Sequence, residues 1–250
     1  MLITLTMFGV GLLLGFVGAG GSGFIISILT TIFRFSIHTA LGTSLTAMIF
    51  SAVSGSVSHY REGNMVLRAG IPVGIFGGAG AWFGSKWSSA IPVDHLKWMT
   101  AGMLLLSAVL LWLRMWIVAH SKGKIKQDTL PTGFRFWLSV GTVGTASGIL
   151  SGLFGIGSTP FIQIGLMFLL NLSIIKAAGT TMLVIVPIAL SGGIDNYFLG
   201  FLDVPLLLEV VIGTMTGSYI GAKFTRRLSV RVLKTAMLIV PILGATLLLV

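Results

Sequence analysis

The sequence predicts an all-α integral membrane protein built from two inverted-topology repeats, each a broken or re-entrant helical segment followed by three transmembrane helices. Three observations predict it. Of the 250 residues, 55% are hydrophobic and only 9% charged, against about 25% charged in an ordinary soluble domain. Apolar runs recur along the whole length. The sequence also matches itself without gaps at a shift of 137 residues.

The apolar runs set the elements. Met1–Phe33 carries no charged side chain; the others are Thr39–Tyr60, Val66–Phe83, Trp98–Leu113, Phe136–Asn171, Ala177–Ile194, Val204–Ala222 and Thr235–Val250. Most approach the ~20 residues that a helix needs to cross a ~30 Å hydrocarbon layer. Unpaired backbone groups are costly in lipid, so these runs are expected as helices. The alternating ~10-residue segments of a membrane β-barrel are absent. No Lys or Arg precedes Arg34, which argues against a signal peptide and for Met1 onward as mature structure.

Cysteine is absent and the formal net charge is +10. The first fact excludes disulfides, thiol catalysis and thiolate metal ligands. The basic residues lie between apolar runs, where the positive-inside bias places them, and are not interleaved with aromatics as on a nucleic-acid platform. A bilayer, not nucleic acid, is the expected partner. The histidines show no metal-ligand spacing, no P-loop, H-E-x-x-H or Ser/His/Asp set is present, and no cofactor is expected.

The repeat is specific. At the 137-residue shift, 30 of 113 overlapping pairs are identical. Gly18-Ala19-Gly20-Gly21-Ser22-Gly23-Phe24-Ile25 falls on Gly155-Ile156-Gly157-Ser158-Thr159-Pro160-Phe161-Ile162, and Ala40–Ser44 falls on Ala177–Thr181. Gly80, Gly84 and Lys86 fall on Gly217, Gly221 and Lys223. The expected division of this one membrane domain is therefore 1–119 for the first repeat, 120–133 for a polar, solvated, cytoplasmic linker and 134–250 for the second repeat.

Charge decides orientation. If each half has four full spans, the basic residues divide almost evenly between the two faces. If the first long run of each half enters and leaves by the same face, the linker, Lys176 and the Lys223–Lys234 segment share one side. Thirteen Lys and Arg then face the cytoplasm, leaving Arg34, Lys86 and Lys97 outside, in accord with the positive-inside rule. The halves then have opposite orientation, in a multi-pass cell-membrane protein.

Each long run is interrupted centrally, at Gly18–Gly23 and at Gly155–Pro160. Glycine's freedom and proline's missing donor break a helix, and broken segments in matched positions point to a solute site near the bilayer midplane. Gly18, Gly20, Gly21, Ser22 and Gly23 with Gly155, Gly157, Ser158 and Thr159 would set two helix starts against each other. A helix start offers free N–H donors and a positive dipole end to an anion; Pro160 suits a first turn. Close helix packing is the plainer reading of these glycines, and is preferred for Gly74, Gly77, Gly78, Gly80 and Gly84. Thr43, Ser44, Thr180 and Thr181 either line the path as hydroxyl donors or pack helices. His59 and Glu209 are candidates for proton coupling, against interfacial and helix-end roles. Whether the breaks are re-entrant hairpins or pairs of short spans stays open.

Taken together, Gly15–Gly23 and its copy Gly152–Gly157, His38–Ser44 and the Ala177–Thr181 copy, and the glycines before Lys86 and Lys223 resemble the sulfite exporter TauE/SafE family of membrane permeases, over nearly all of the chain. The resemblance implies a non-enzymatic inner-membrane permease for small sulfur-containing anions such as sulfite or sulfoacetate-like organosulfonates; export is the direction that a negative cytoplasm favours for an anion. Ser158, Thr159 and Pro160 stand where the first half has Gly21, Ser22 and Gly23, so the two halves of the site differ. The alternatives are a membrane-embedded enzyme or a non-transporting partner subunit. Small-residue faces permit a homodimer.

Overall fold

The structure, a computed structural model, describes residues 1–18, 22–88, scattered positions between 98 and 116, 128–154, 158–198, 203–225, 227 and 229–249. Among these residues the elements are helices: α1 Leu2–Val17, α2 Ser22–Thr31, α3 Ile37–Arg61, α4 Leu67–Ser88, α5 Phe134–Phe154, α6 Thr159–Phe168, α7 Ile174–Phe198, α8 Val204–Phe224 and α9 Val230–Leu249. Phe134–Leu153, Ile174–Ser191 and Val204–Phe224 are long and apolar enough to cross a membrane. Each long apolar run expected at the head of a half is divided into a longer and a shorter helix. α1 has 16 residues and α2 has 10, about 24 and 15 Å at the α-helical rise. Neither covers a ~30 Å hydrocarbon layer alone.

Helix starts follow their local chemistry. Ser36 caps α3, its hydroxyl accepting from the Thr39 N–H at 3.2 Å. Asp203 caps α8 by accepting from Leu206 N–H at 3.1 Å, with Pro205 in the first turn. These side chains satisfy donors that the helix leaves open. The start of α7 is held from outside: Asp128 accepts from Ser173 N–H at 2.8 Å and pairs with Lys176 at 3.2 Å. Partial burial opposes ionisation of Asp128, but the Ser173 donors and the Lys176 ammonium outweigh it and hold the carboxyl below the usual carboxylate range. This end of the linker is therefore docked on the α6–α7 turn rather than free in solvent.

The two halves embrace. α1 packs along α8 and α4 along α5, while α3 and α7 form the centre. Small residues make this possible, because a dry helix interface in lipid depends on close backbone approach. A Cβ placed on Gly80 would stand 2.6 Å from Thr145 O, and one on Gly217, its mate at the 137-residue shift, would overlap Phe8 O. Phe8 and Thr145 are themselves mates at that shift, and the Gly84–Ile149 and Gly221–Leu12 contacts are paired in the same way. The packing role expected for Gly74, Gly77, Gly78, Gly80 and Gly84 is what these contacts describe; Gly74 and Gly78 also make room for Pro187 inside α7.

Contact order along the helices gives their relative directions. Thr4, Phe8 and Leu12 meet Gly213, Gly217 and Gly221 in step, so α1 and α8 run the same way. Ser54 and Ser58 donate to Met215 O and Tyr219 O, each at 2.8 Å, so α3 runs with α8. Against α7 the order reverses: Ile49 meets Gly193, Gly55 meets Met182 and His59 meets Gly179. Thus α3 and α7, which occupy equivalent positions in the two halves, run antiparallel.

Candidate functional site

The first break forms where α1 ends. Gly18 adopts φ 72°, ψ 33°, a left-handed cap whose N–H returns to Leu14 O and Gly15 O. Only glycine takes this conformation without penalty. There is a second reason for glycine here: a Cβ would overlap the backbone of Ala178. The break therefore meets α7 about 6 Å from that helix's start, nearer one end than its middle, because α1 turns after 16 residues.

A helix end leaves four carbonyls without intrahelical donors, and at α1 every one has a partner. Leu14 O and Gly15 O take the Gly18 N–H. Gly15 O also lies 3.0 Å from His59 Nε2, at the end of α3. Phe16 O accepts from the Thr225 hydroxyl, just past α8, at 3.3 Å. Val17 O accepts from Gln163 Nε2 of α6 at 2.7 Å, and the same nitrogen donates to Gly18 O at 3.2 Å. Gln163 is 1% exposed and belongs to the second broken segment. The two interrupted segments are thus joined by a buried amide. The reading of sequence motifs missed Gln163 and Thr225; the available signal was a lone amide in the otherwise apolar stretch Phe161–Phe168.

The second break is built differently. Ser158 has φ 38°, ψ 27°, an uncommon left-handed conformation for a residue with a side chain. Its carbonyl accepts from Phe161 N–H and Ile162 N–H, opening α6, and Pro160 sits in the first turn as expected. Ser22, Gly23, Ser158 and Thr159 are buried, at or beside the starts of α2 and α6. Gly20, Gly21, Gly155 and Gly157 lie outside the described residues.

Four further hydroxyls are buried: Thr43, Ser44, Thr180 and Thr181. Thr180 accepts from Val66 N–H at 3.0 Å and Thr181 donates to Ala177 O at 2.7 Å, so both are engaged with backbone. Thr43 Oγ1, the repeat mate of Thr180, has no partner. Glu209 is not brought to the breaks. It pairs with the amino terminus at 2.8 Å and accepts from the Thr4 hydroxyl at 3.1 Å, with its side chain 41% exposed. Beside it, Met1, Thr4, Phe8, Gly213 and Thr216 line an open apolar groove of about 540 Å³ between α1 and α8.

Apolar helices of spanning length, dry glycine interfaces and two interrupted segments joined at a buried contact define a helical membrane transporter. The chain belongs to the sulfite exporter TauE/SafE family, whose profile matches residues 3–248. It is 52% identical over 249 residues, the whole of both chains, to the probable membrane transporter protein YdhB of Bacillus subtilis. A probable membrane transporter protein of Xylella fastidiosa is 27% identical over 221 residues, 88% of this chain and 82% of its own. One from Methanocaldococcus jannaschii is 26% identical over 246 residues, 91% of this chain and 87% of its own. No solved structure matches the chain.

Proposed function

We propose that this permease is a secondary carrier that exports a small sulfur-containing anion, sulfite or a sulfoacetate-like organosulfonate, held between the helix starts that follow the two breaks. The observation that carries the reading is the complete capping of α1. Its carbonyl end, which would repel an anion, is covered by His59, Gln163 and Thr225. The helix starts at Ser22 and Thr159 are the positive dipole ends that follow the two breaks. A site of amides and hydroxyls binds an oxyanion without a fixed counter-charge, which suits a carrier that must also release its cargo. The substrate class rests on the family; export is favoured by a negative cytoplasm at about 2.3 kcal/mol per charge per 100 mV.

The proposed architecture is an inverted repeat of re-entrant hairpins, with the linker and the Lys223–Lys234 segment in the cytoplasm. The antiparallel course of α3 and α7 supports inversion. The Asp128–Lys176 pair supports the hairpin, because it sets the start of α7 on the linker's own side. If α5 and α6 formed one continuous crossing, Lys176 would lie on the opposite face from the linker.

Flux in proteoliposomes tests the function. Sulfite or sulfoacetate is expected to leave liposomes containing the purified protein faster than protein-free liposomes, and faster with an inside-negative potential. No movement and no calorimetric binding of either anion would end the substrate reading.

A further inference from the structure

Two buried nitrogens beside the first break have no use in the fold. His59 Nδ1 and Asn64 Nδ2 are both buried without a hydrogen-bond partner, in residues 0% and 2% exposed. They belong to one corner: Asn64 N–H closes on His59 O at 2.9 Å, and both residues press on Gly179, the residue after Ala178, which covers Gly18. A buried donor or acceptor left unpaired costs about 1–3 kcal/mol. Two such groups in one corner of a carrier, beside a helix break, are groups kept for something that comes and goes.

The bond on the other side of the ring fixes what Nδ1 can offer. Gly15 O can only accept, so His59 Nε2 carries a proton and donates to it. In the neutral ring Nδ1 is then a bare lone pair, and the Asn64 amide in the same corner is an unused donor. An oxyanion cannot sit against a lone pair. It can sit against Nδ1–H, and an imidazolium buried without a counter-ion is costly unless an anion pairs with it. Anion and proton each remove the obstacle to the other.

We infer that His59 and Asn64 form a proton-linked oxyanion subsite, in which the carrier takes up one proton at His59 Nδ1 with each anion bound. The inference rests on the carrier reading above. The proton comes from the aqueous phase that delivers the anion; Nε2–H keeps its bond to Gly15 O, while Nδ1–H and the Asn64 amide donate to anion oxygens. At the 137-residue shift the mates of His59 and Asn64 are Asn196 and Phe201, so the device belongs to one half and gives the carrier a sidedness that the repeat lacks.

No neighbouring ion competes for the ring among the described residues. α1 carries no ionisable side chain. On α7, Lys176 is paired with Asp128. On α8, Tyr219 accepts from Arg61 at 2.9 Å and Lys223 is exposed. Arg61 and Glu62 follow His59 at its own helix end, Arg68 is exposed on α4, and none of these groups hydrogen-bonds to the ring.

Nitrogen NMR of the full chain with labelled histidine, in lipid nanodiscs, reads the subsite directly, with His59→Gln assigning the signal among four histidines. Without anion, His59 is expected as the Nε2–H tautomer with Nδ1 bare. Sulfite, sulfoacetate, sulfate and phosphate are then added separately at a pH where the anion-free ring stays neutral. At least one is expected to protonate Nδ1. Calorimetry in buffers of different ionisation enthalpy should show one proton taken up per anion, falling to none in His59→Gln. Asn64→Leu should weaken binding about tenfold and leave the proton count at one. An Nδ1–H tautomer in the free protein, or no anion in the panel that protonates the ring, overturns the subsite. Sulfite that binds without proton uptake overturns it too while sparing the carrier reading. Protonation by sulfate or phosphate with no response to the two sulfur substrates sustains the subsite and removes the substrate reading.

Discussion

Gly18→Ala is expected to cut solute flux at least tenfold while the protein still inserts in the membrane. Two costs coincide at this position. A residue with a Cβ pays about 1–2 kcal/mol for the left-handed conformation that Gly18 holds at φ 72°. The same Cβ overlaps the Ala178 backbone, and a helix backbone cannot step aside as a flexible side chain can. Relief requires α1 to withdraw from α7, which pulls Val17 and Gly18 away from Gln163. Gly9→Ala is the matched control on the same helix, because a Cβ there meets nothing within 4 Å; alanine also favours a helix interior over glycine. Flux and thermal stability of the two variants, compared at equal membrane content, check the prediction. Equal behaviour would mean that the cap geometry does not matter.

The second large effect is expected at Gln163. Gln163→Leu keeps the volume and removes the amide, leaving two buried carbonyls at the end of α1 without their donor. At about 1–3 kcal/mol for the stranded groups, the thermal midpoint should fall by about 3–10 °C. Anion binding should weaken with it, because the two broken segments lose their tie. Gln163→Glu, similar in shape but without a donor when ionised, should fall further, since it sets a carboxylate against two carbonyl oxygens. Thermal unfolding in detergent, with and without sulfite, separates the losses. A Gln163→Leu protein as stable as the parent would show that the tie is incidental.

Helix content, the membrane setting and the positions of both breaks were legible in the sequence because each has a local physical cause. Lipid demands long apolar runs with internally paired backbone, and the Gly18–Gly23 and Gly155–Pro160 strings cannot continue a helix cheaply. The packing role of Gly80 and Gly84 was legible for a similar reason: glycines on one helix face in both halves have little other use. The caps on α1 were not legible. His59, Gln163 and Thr225 reach Gly15, Val17 and Phe16 across separations of 44, 146 and 209 residues, and no local pattern announces such partners. The same holds for Glu209, which as sequence reads as a carboxylate inside an apolar run. Folding brings the amino terminus to it, something visible only once α1 lies along α8. The linker misleads in the opposite sense: its composition is that of a solvated loop, yet Asp128 is the residue that fastens α7.

The proposed carrier depends on the two halves entering the membrane in opposite senses, with residues of the second half capping the broken helix of the first. Sided labelling reads this most directly. The chain has no cysteine, so single cysteines at Gln127 and Ser229 can be probed in sealed vesicles with a reagent that does not cross lipid. Both are expected to react from the cytoplasmic side alone. Reaction of the two positions from opposite sides would contradict the inverted arrangement, and with it the meeting of the breaks.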